Sequence, residues 1–337
     1  MSDLSLPTSR YPRGWFTVGW SHELAAGEVK PLEYFGRKLV AWRGASGKAV
    51  VQDAFCLHLG AHRGVQGSVS GDNLVCPWHG WEWDGEGRNV SIPYSKERCK
   101  PHLQIRNYPV QEWCGAIMVW YDWAGGPPTH QLPEVPEAES PDYYLMHPFS
   151  SYCYRVKTHV QMPLENAADP AHIRYVHGST EIPEIVEFWT KGDNLCAALR
   201  VMYGGGKKTT ELTPDGPTYG TFRSIFAGIG VSVIRWELPV PSVQLALFTA
   251  VDDEYMTYHY CQTSRREPGD QGDTPSGRAL SMIKTQQKVI PQDFFAWENM
   301  SYLGNPNFAV EEADAYPRLR RWARRFYPSD EDVRAGV

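Results

Sequence analysis

Two short segments constrain this chain more than anything else in it: Cys56-Leu57-His58 and Cys76-Pro77-Trp78-His79, with 17 residues between them. Each offers one thiolate and one imidazole. Glycines at Gly60, Gly64 and Gly80 stand beside them, where turns are needed to fold such ligands toward one point. A zinc site is the rival reading, but zinc fingers draw their cysteines as one close pair and their histidines as another. Here the two ligand types are interleaved. The chain has seven cysteines, an odd number. A disulfide framework is therefore the weaker reading for a protein expected to be cytoplasmic, where thiols stay reduced.

A Rieske 2Fe–2S cluster takes two thiolates on one iron and two imidazoles on the other, so two loops that each carry a Cys/His pair can clamp it from both sides. Cys56, His58, Cys76 and His79 are the expected cluster ligands. Imidazole ligation places such a centre roughly between −150 and +300 mV, within reach of ferredoxin-like donors. The remaining cysteines, Cys99, Cys114, Cys153, Cys196 and Cys261, lack paired spacing and are expected to behave as small buried apolar residues.

A second concentration of donors runs from Glu165 through Asp169 and His172 to His177. Asp169 and His172 share a helix face, whereas His172 and His177 diverge by about 140° on a regular helix. The helix is therefore expected to end or bulge between them. Two histidines and one carboxylate form the facial triad of O₂-activating Fe(II) enzymes. The third ligand is expected to be Asp293, beside an apolar stripe of Ile290, Phe294 and Trp297, with Glu298 as the fallback. A helix-end charge or a buried salt bridge is the bland reading of Asp293.

The first third reads as short strands, Trp15 to Trp20, Phe35 to Trp42, Ala49 to Phe55 and Ala116 to Trp120. A break at Ala124-Gly125-Gly126-Pro127-Pro128, continued by Pro133, Pro136 and Pro141, can hold neither helix nor central strand. Further strands are expected at Leu195 to Tyr203, Gly230 to Leu238, Ser242 to Val251 and Met256 to Thr263, with helix after the polar loop Pro268 to Gly277. The expectation is an α+β chain: an all-β cluster domain over 1–125, a linker over 126–142, and a catalytic domain over 143–337 with an antiparallel sheet flanked by helices. N-terminal strands and the C-terminal helix are allowed to cross that boundary. Gly204-Gly205-Gly206-Lys207 lacks phosphate-loop spacing and reads as a tight turn.

A net charge of −6 and a pI near 6.0 give no electrostatic case for nucleic acid. No apolar run approaches the roughly 18 residues that cross a bilayer, and the first residues lack the pattern of a secretory signal. The stripe Leu319, Trp322 and Phe326 reads as helix packing, with Arg318, Arg320, Arg321, Arg324 and Arg325 around it as a candidate reductase-docking patch.

The paired motifs C-x-H…C-x-x-H and N-x-x-D-x-x-H-x-x-x-x-H, in that order, resemble those of the Rieske non-heme iron oxygenases. Tyr11-Pro-Arg-Gly-Trp15, Gln292-Asp293 before Trp297, and Leu319-Arg-Arg-Trp322 are similar to the oxygenase components of 3-ketosteroid 9α-hydroxylases. Gly80 departs from them, standing where they carry an acidic residue. The resemblance implies that Cys56 and Cys76 hold the inner cluster iron and His58 and His79 the outer one, while His172, His177 and Asp293 bind a catalytic Fe(II). It implies a head-to-tail homotrimer in which Asp169 bridges His79 of one subunit to His172 of the next. It also implies a separate flavin/iron–sulfur NAD(P)H reductase, O₂, and a hydrophobic polycyclic substrate such as a 3-ketosteroid. The alternatives are oxidative demethylation or hydroxylation of a smaller aromatic compound, which a carboxylate-binding Arg in the pocket would favour, and a pure Rieske electron-transfer protein, which would need only the first domain.

Overall fold

Strand Arg37–Arg43 shows why the first part of the chain is all β. Its run Leu39, Val40, Ala41 and Trp42 is buried on both faces, which suits a central strand. It lies in a four-stranded sheet between Val29–Tyr34 and Ala49–Asp53, with Asn107–Tyr108 outside. A second four-stranded sheet is built from pieces of two or three residues: Ser68–Ser70, Asn73–Val75, Glu82–Trp83 and Asn89–Ser91. A three-stranded sheet joins Gly14–Trp20, Ala116–Tyr121 and Val110–Trp113. In the computed structural model, which describes residues 11–204, 216–329 and 331–332, these sheets belong to a unit formed by Phe16–Tyr121 and Thr249–Asp252.

The other unit comprises the described parts of Met1–Trp15, Asp122–Phe248 and Asp253–Val337. At its centre is a seven-stranded sheet whose spatial order is Tyr152–Val156, Met256–Ser264, Ser242–Ala250, Val231–Trp236, Thr218–Ala227, Asn194–Tyr203 and Glu184–Lys191. All but the first strand follow as a simple meander. The four strands expected beyond the Pro-rich break are present. Tyr152–Val156, Glu184–Lys191 and Thr218–Ala227 were not expected. Glu184–Lys191 carries Ile185, Val186, Phe188 and Trp189 but buries no residue. Gly205 to Lys207 of the expected turn lie outside the described residues.

Helix Gly277–Val289 buries Ala279, Met282, Ile283 and Gln286, the i, i+3, i+4, i+7 pattern of one face. Its first N–H groups, those of Arg278 and Ala279, donate to Glu267 Oε1 at 2.8 and 3.2 Å. Pro291 then removes an N–H, and the chain tightens to a 3₁₀ turn, Ile290–Asp293, before the short helix Phe294–Trp297. The single helix expected around Asp293 is thus broken at that residue. The C-terminal helix Ala315–Arg324 buries Leu319, Arg320, Trp322 and Ala323.

Candidate functional site: two groups of metal-ligating residues

The Cys56 loop is closed by a bridge between Phe55 and His62, and the Cys76 loop by pairing of Val75 with Glu82. Inside them the same hydrogen-bond frame occurs twice. Gly60 and Gly80 donate their N–H to the carbonyls of Cys56 and Cys76 at 2.9 and 3.0 Å, while the N–H groups of Cys56 and Cys76 donate to Ala61 and Trp81 carbonyls at 2.9 and 2.8 Å. Both glycines hold positive φ, +78° and +70°, a conformation glycine adopts without steric cost.

The frame turns four side chains together. The thiols of Cys56 and Cys76 are hydrogen-bond partners, buried among Trp81, Trp83, Ile92 and Ile105. The rings of His58 and His79 lie 4.7 Å apart, half-exposed, with Trp81 stacked on His58 at 4.5 Å. Burial pushes the Cys56 thiol up to about 11, so bare thiolates are disfavoured there until a cation replaces their protons. Buried thiols with imidazoles on the solvent side fit a cluster of mixed ligation.

In the second unit, the segment around Asn166 is a series of short turns: Met162–Glu165, Asn166–Ala168 and, after a break at Asp169, Ala171–Tyr175. The last turn widens as expected. The Val176 and His177 N–H groups both reach back to the His172 carbonyl, at 2.7 and 3.4 Å, and this brings the His172 and His177 rings to 5.2 Å. His172, His177 and Asp293 present ligand atoms within 4.8 Å of one another.

Hydrogen bonds orient each donor. His172 Nδ1 pairs with the Asp169 carbonyl, and His177 Nδ1 with Gln292 Oε1 at 3.1 Å. Both Nε2 atoms are thereby left for a metal, the arrangement that fixes the tautomer of ligating histidines. Asn166 Nδ2 donates to Asp293 Oδ2 at 3.1 Å, while Asp293 Oδ1 lies 3.3 Å from His177 Nε2. Burial pushes the Asp293 carboxyl up to about 6 and holds His172 below its ordinary value. Two imidazoles with their Nε2 atoms facing one carboxylate fit a divalent metal.

Asp169 Oδ1 accepts the His172 backbone N–H at 3.1 Å, and its carboxylate is hydrogen-bonded to Tyr316. Glu298, the fallback ligand, is exposed, accepts the Lys157 N–H at 3.4 Å and stands apart from the trio, because the turn after Asp293 carries it outward. Arg320 is no docking residue. It is buried and grips Glu165 through Nε and Nη2 at 2.9 and 2.7 Å. Cys153 is exposed on its edge strand and Cys99 and Cys114 are half-buried, contrary to the expectation of burial, which Cys196 and Cys261 meet. Sequence reasoning assigned no role to Gln292, Asn166 or Tyr316. The signals that pointed to the first two were the place of Asn166 at the head of the N-x-x-D-x-x-H-x-x-x-x-H motif and the adjacency of Gln292 to Asp293.

Beside the trio opens an apolar cavity of about 210 Å³. Its wall is supplied by alternate residues of the meander, among them Leu199, Val201, Phe222, Ile234 and Phe248, and its other side by Val289 and Trp297. Among the described residues no Lys or Arg lines it.

Residues 14–109 match the model of the Rieske [2Fe-2S] domain, and residues 119–327 match that of the 3-Ketosteroid 9alpha-hydroxylase C-terminal domain. This chain therefore belongs to the Rieske non-heme iron oxygenases, in the family that carries the latter domain. It is a terminal oxygenase component, an oxidoreductase whose cofactors are a 2Fe–2S cluster and a mononuclear iron. A probable 3-ketosteroid-9-alpha-monooxygenase oxygenase component of Rhodococcus rhodochrous is 28% identical, over 98% of this chain and 84% of the relative. Cholesterol 7-desaturase nvd of Bombyx mori is 36% identical, over 94% of this chain and 70% of the relative. In fold, dicamba monooxygenase bound to 3,6-dichlorosalicylic acid superposes with a TM-score of 0.75 at 18% identity, covering 98% of this chain and all of that one.

Proposed function

We propose that this oxygenase hydroxylates a hydrophobic polycyclic substrate of the 3-ketosteroid class, using O₂ and NAD(P)H electrons delivered by a separate flavin/iron–sulfur reductase. The observation that carries the reading is the apolar cavity beside His172, His177 and Asp293, whose described lining holds no Lys or Arg. An aromatic acid would need a cation there to offset the burial of its carboxylate. The Rhodococcus relatives named for 3-ketosteroids support the same class. In this reading Cys56, Cys76, His58 and His79 hold the cluster, and His172, His177 and Asp293 hold the iron.

The bound groups supply dioxygen activation at the iron and single electrons from the cluster. The chain's own residues do the rest. Gln292 and the Asp169 carbonyl keep both imidazoles in the ligating tautomer, and Asn166 holds one oxygen of Asp293. The cavity wall excludes water and turns an apolar face to the substrate. Asp169 serves as the relay between His79 of one subunit and His172 of the next within a homotrimer. Exposed Leu57, Leu59, Trp78 and Tyr94 around the cluster loops support burial of that surface by a second copy.

Helices long and apolar enough to cross a membrane are absent among the described residues, in keeping with the cytoplasmic placement we assign. A second reading is favoured by the Bombyx mori relative: desaturation of a sterol at the same site. Incubation with ¹⁸O₂, NADH, a surrogate reductase, and 3-ketosteroid, sterol and aromatic-acid substrates separates the readings. One labelled oxygen in a ketosteroid product supports hydroxylation, and an unlabelled product two hydrogens lighter supports desaturation. Turnover confined to aromatic acids would sink the steroid class.

A further inference from the structure

Arg63 is fully buried, at 0% exposure, and no other Asp, Glu, Lys or Arg among the described residues of its unit is buried. A charge in that position needs compensation, since several kcal/mol of desolvation accompany each buried ion. Its contacts supply no carboxylate. Nη1 donates to Gln52 Oε1 at 3.0 Å and Nη2 to the backbone carbonyl of Asp53 at 2.6 Å, while the guanidinium lies 5.7 Å from the ring centre of Trp83. Nε has no hydrogen-bond partner among the described residues. The Asp53 carboxylate is occupied elsewhere, by the Tyr108 hydroxyl at 2.8 Å and by Arg37 at 3.6 Å.

The groups whose ionised forms would act on Arg63 most are the thiols of Cys56 and Cys76, ahead of the Asp53 carboxylate. Trp83 connects the two features, because it packs in the same apolar cluster as both cysteines. The chain thus buries one fixed positive charge against a tryptophan that packs in the same apolar cluster as both cysteines. One-electron reduction of a cluster adds one negative charge to it, and a buried cation nearby stabilises that charge in a medium of low dielectric constant.

We infer that Arg63 is a positioning residue for charge: it raises the reduction potential of the 2Fe–2S cluster and so favours the electron-loaded state of the enzyme. The inference rests on the reading that Cys56, His58, Cys76 and His79 hold that cluster. The Arg63 side chain also ties its loop to the strand that carries Gln52 and Asp53 through its two hydrogen bonds. A purely structural role would therefore change stability without changing the potential.

The test is a mediated redox titration of the cluster-containing full chain, followed by visible absorbance and by EPR of the reduced form, in wild type, Arg63→Gln, Arg63→Lys and Gln52→Glu. Gln52→Glu sets a carboxylate of nearly equal size on the guanidinium, so it neutralises Arg63 even where Arg63→Gln fails to fold. At a fixed poise, Arg63→Gln and Gln52→Glu are expected to lower the ratio of reduced to oxidised cluster at least tenfold, 59 mV for one electron. Arg63→Lys should stay within about threefold of wild type. An unchanged ratio in Gln52→Glu with full cluster absorbance overturns the inference, as does a Lys variant that behaves like Gln. Cys56→Ser separates the two layers: if it retained the cluster spectrum, the ligand reading would fail independently of Arg63.

Discussion

The two units each bury an arginine, and they treat it in opposite ways. Arg320 meets Glu165 in a bidentate pair, gives Nη1 to the Leu303 carbonyl at 2.6 Å and stacks on Tyr302 at 4.2 Å. Its charge is balanced within the polypeptide. Arg63 has only neutral acceptors and an aromatic face. The difference teaches where each unit expects its negative charge to come from: from a side chain in one, from a metal cluster in the other.

The largest expected effect sharpens this contrast from the cluster side. Cys76→Ser should abolish the visible absorbance of the cluster and leave Arg63 without its nearest negative partners. Guanidinium unfolding monitored at the tryptophans of Phe16–Tyr121 should then show an early transition for that unit, with mononuclear iron content unchanged on metal analysis. If both iron populations fell together, the units would not be independently charge-balanced.

Arg320→Met attacks the comparison from the other side. It leaves Glu165 buried and unpaired, a change that typically costs about 3 to 5 kcal/mol, and urea denaturation should register it whether or not iron is bound. Glu165→Gln combined with Arg320→Met should recover most of that loss. A single variant as stable as wild type would mean that Glu165 reaches water.

Next comes acid. Burial holds His159 and His259 neutral, pushed down to about 4 from an ordinary 6.5. Above pH 6.5 both are neutral in the folded and the unfolded chain, so stability is unaffected. Between pH 6.5 and 4 the unfolded chain takes up protons that the folded one refuses, so stability falls as pH falls, by on the order of 3 kcal/mol per histidine. His259→Asn should flatten the profile of denaturation midpoint against pH, and a slope unchanged by it would exclude His259 as its source.

The smallest effect is expected at Gln292. Gln292→Ala removes the acceptor for His177 Nδ1, a change worth about 10 to 100-fold in metal affinity at comparable sites. Competitive chelation of Fe(II) measures it, and the cluster spectrum should not move.

Legibility in the sequence followed the range of the contacts. The two Cys/His loops could be read because each Cys/His pair lies within a turn that its own glycine closes. The meander was read at four strands and missed at Glu184–Lys191 and Thr218–Ala227, although the first carries Ile185, Val186, Phe188 and Trp189. His172 and His177 were legible as a pair, and so was the widening between them, since helix periodicity forbids their convergence otherwise. Asp293 could be nominated but not oriented, because Pro291 and the 3₁₀ turn set its direction. Arg320 was misread as surface because its partner Glu165 lies in a segment far away along the chain, and nothing local in Leu319-Arg320-Arg321-Trp322 announces that one of two adjacent arginines turns inward.

The cavity wall has a further consequence for how such a chain can change. Most of its sheet residues alternate along consecutive hairpin strands, whereas His172, His177 and Asp293 hang from turns outside the sheet. Exchanging Leu199, Phe222 or Ile234 for larger or smaller apolar residues would recut the chamber while leaving the metal-ligating turns intact. On the proposed reading, substrate preference and oxygen chemistry are written on separate parts of the polypeptide, and descent with modification can rewrite one without erasing the other.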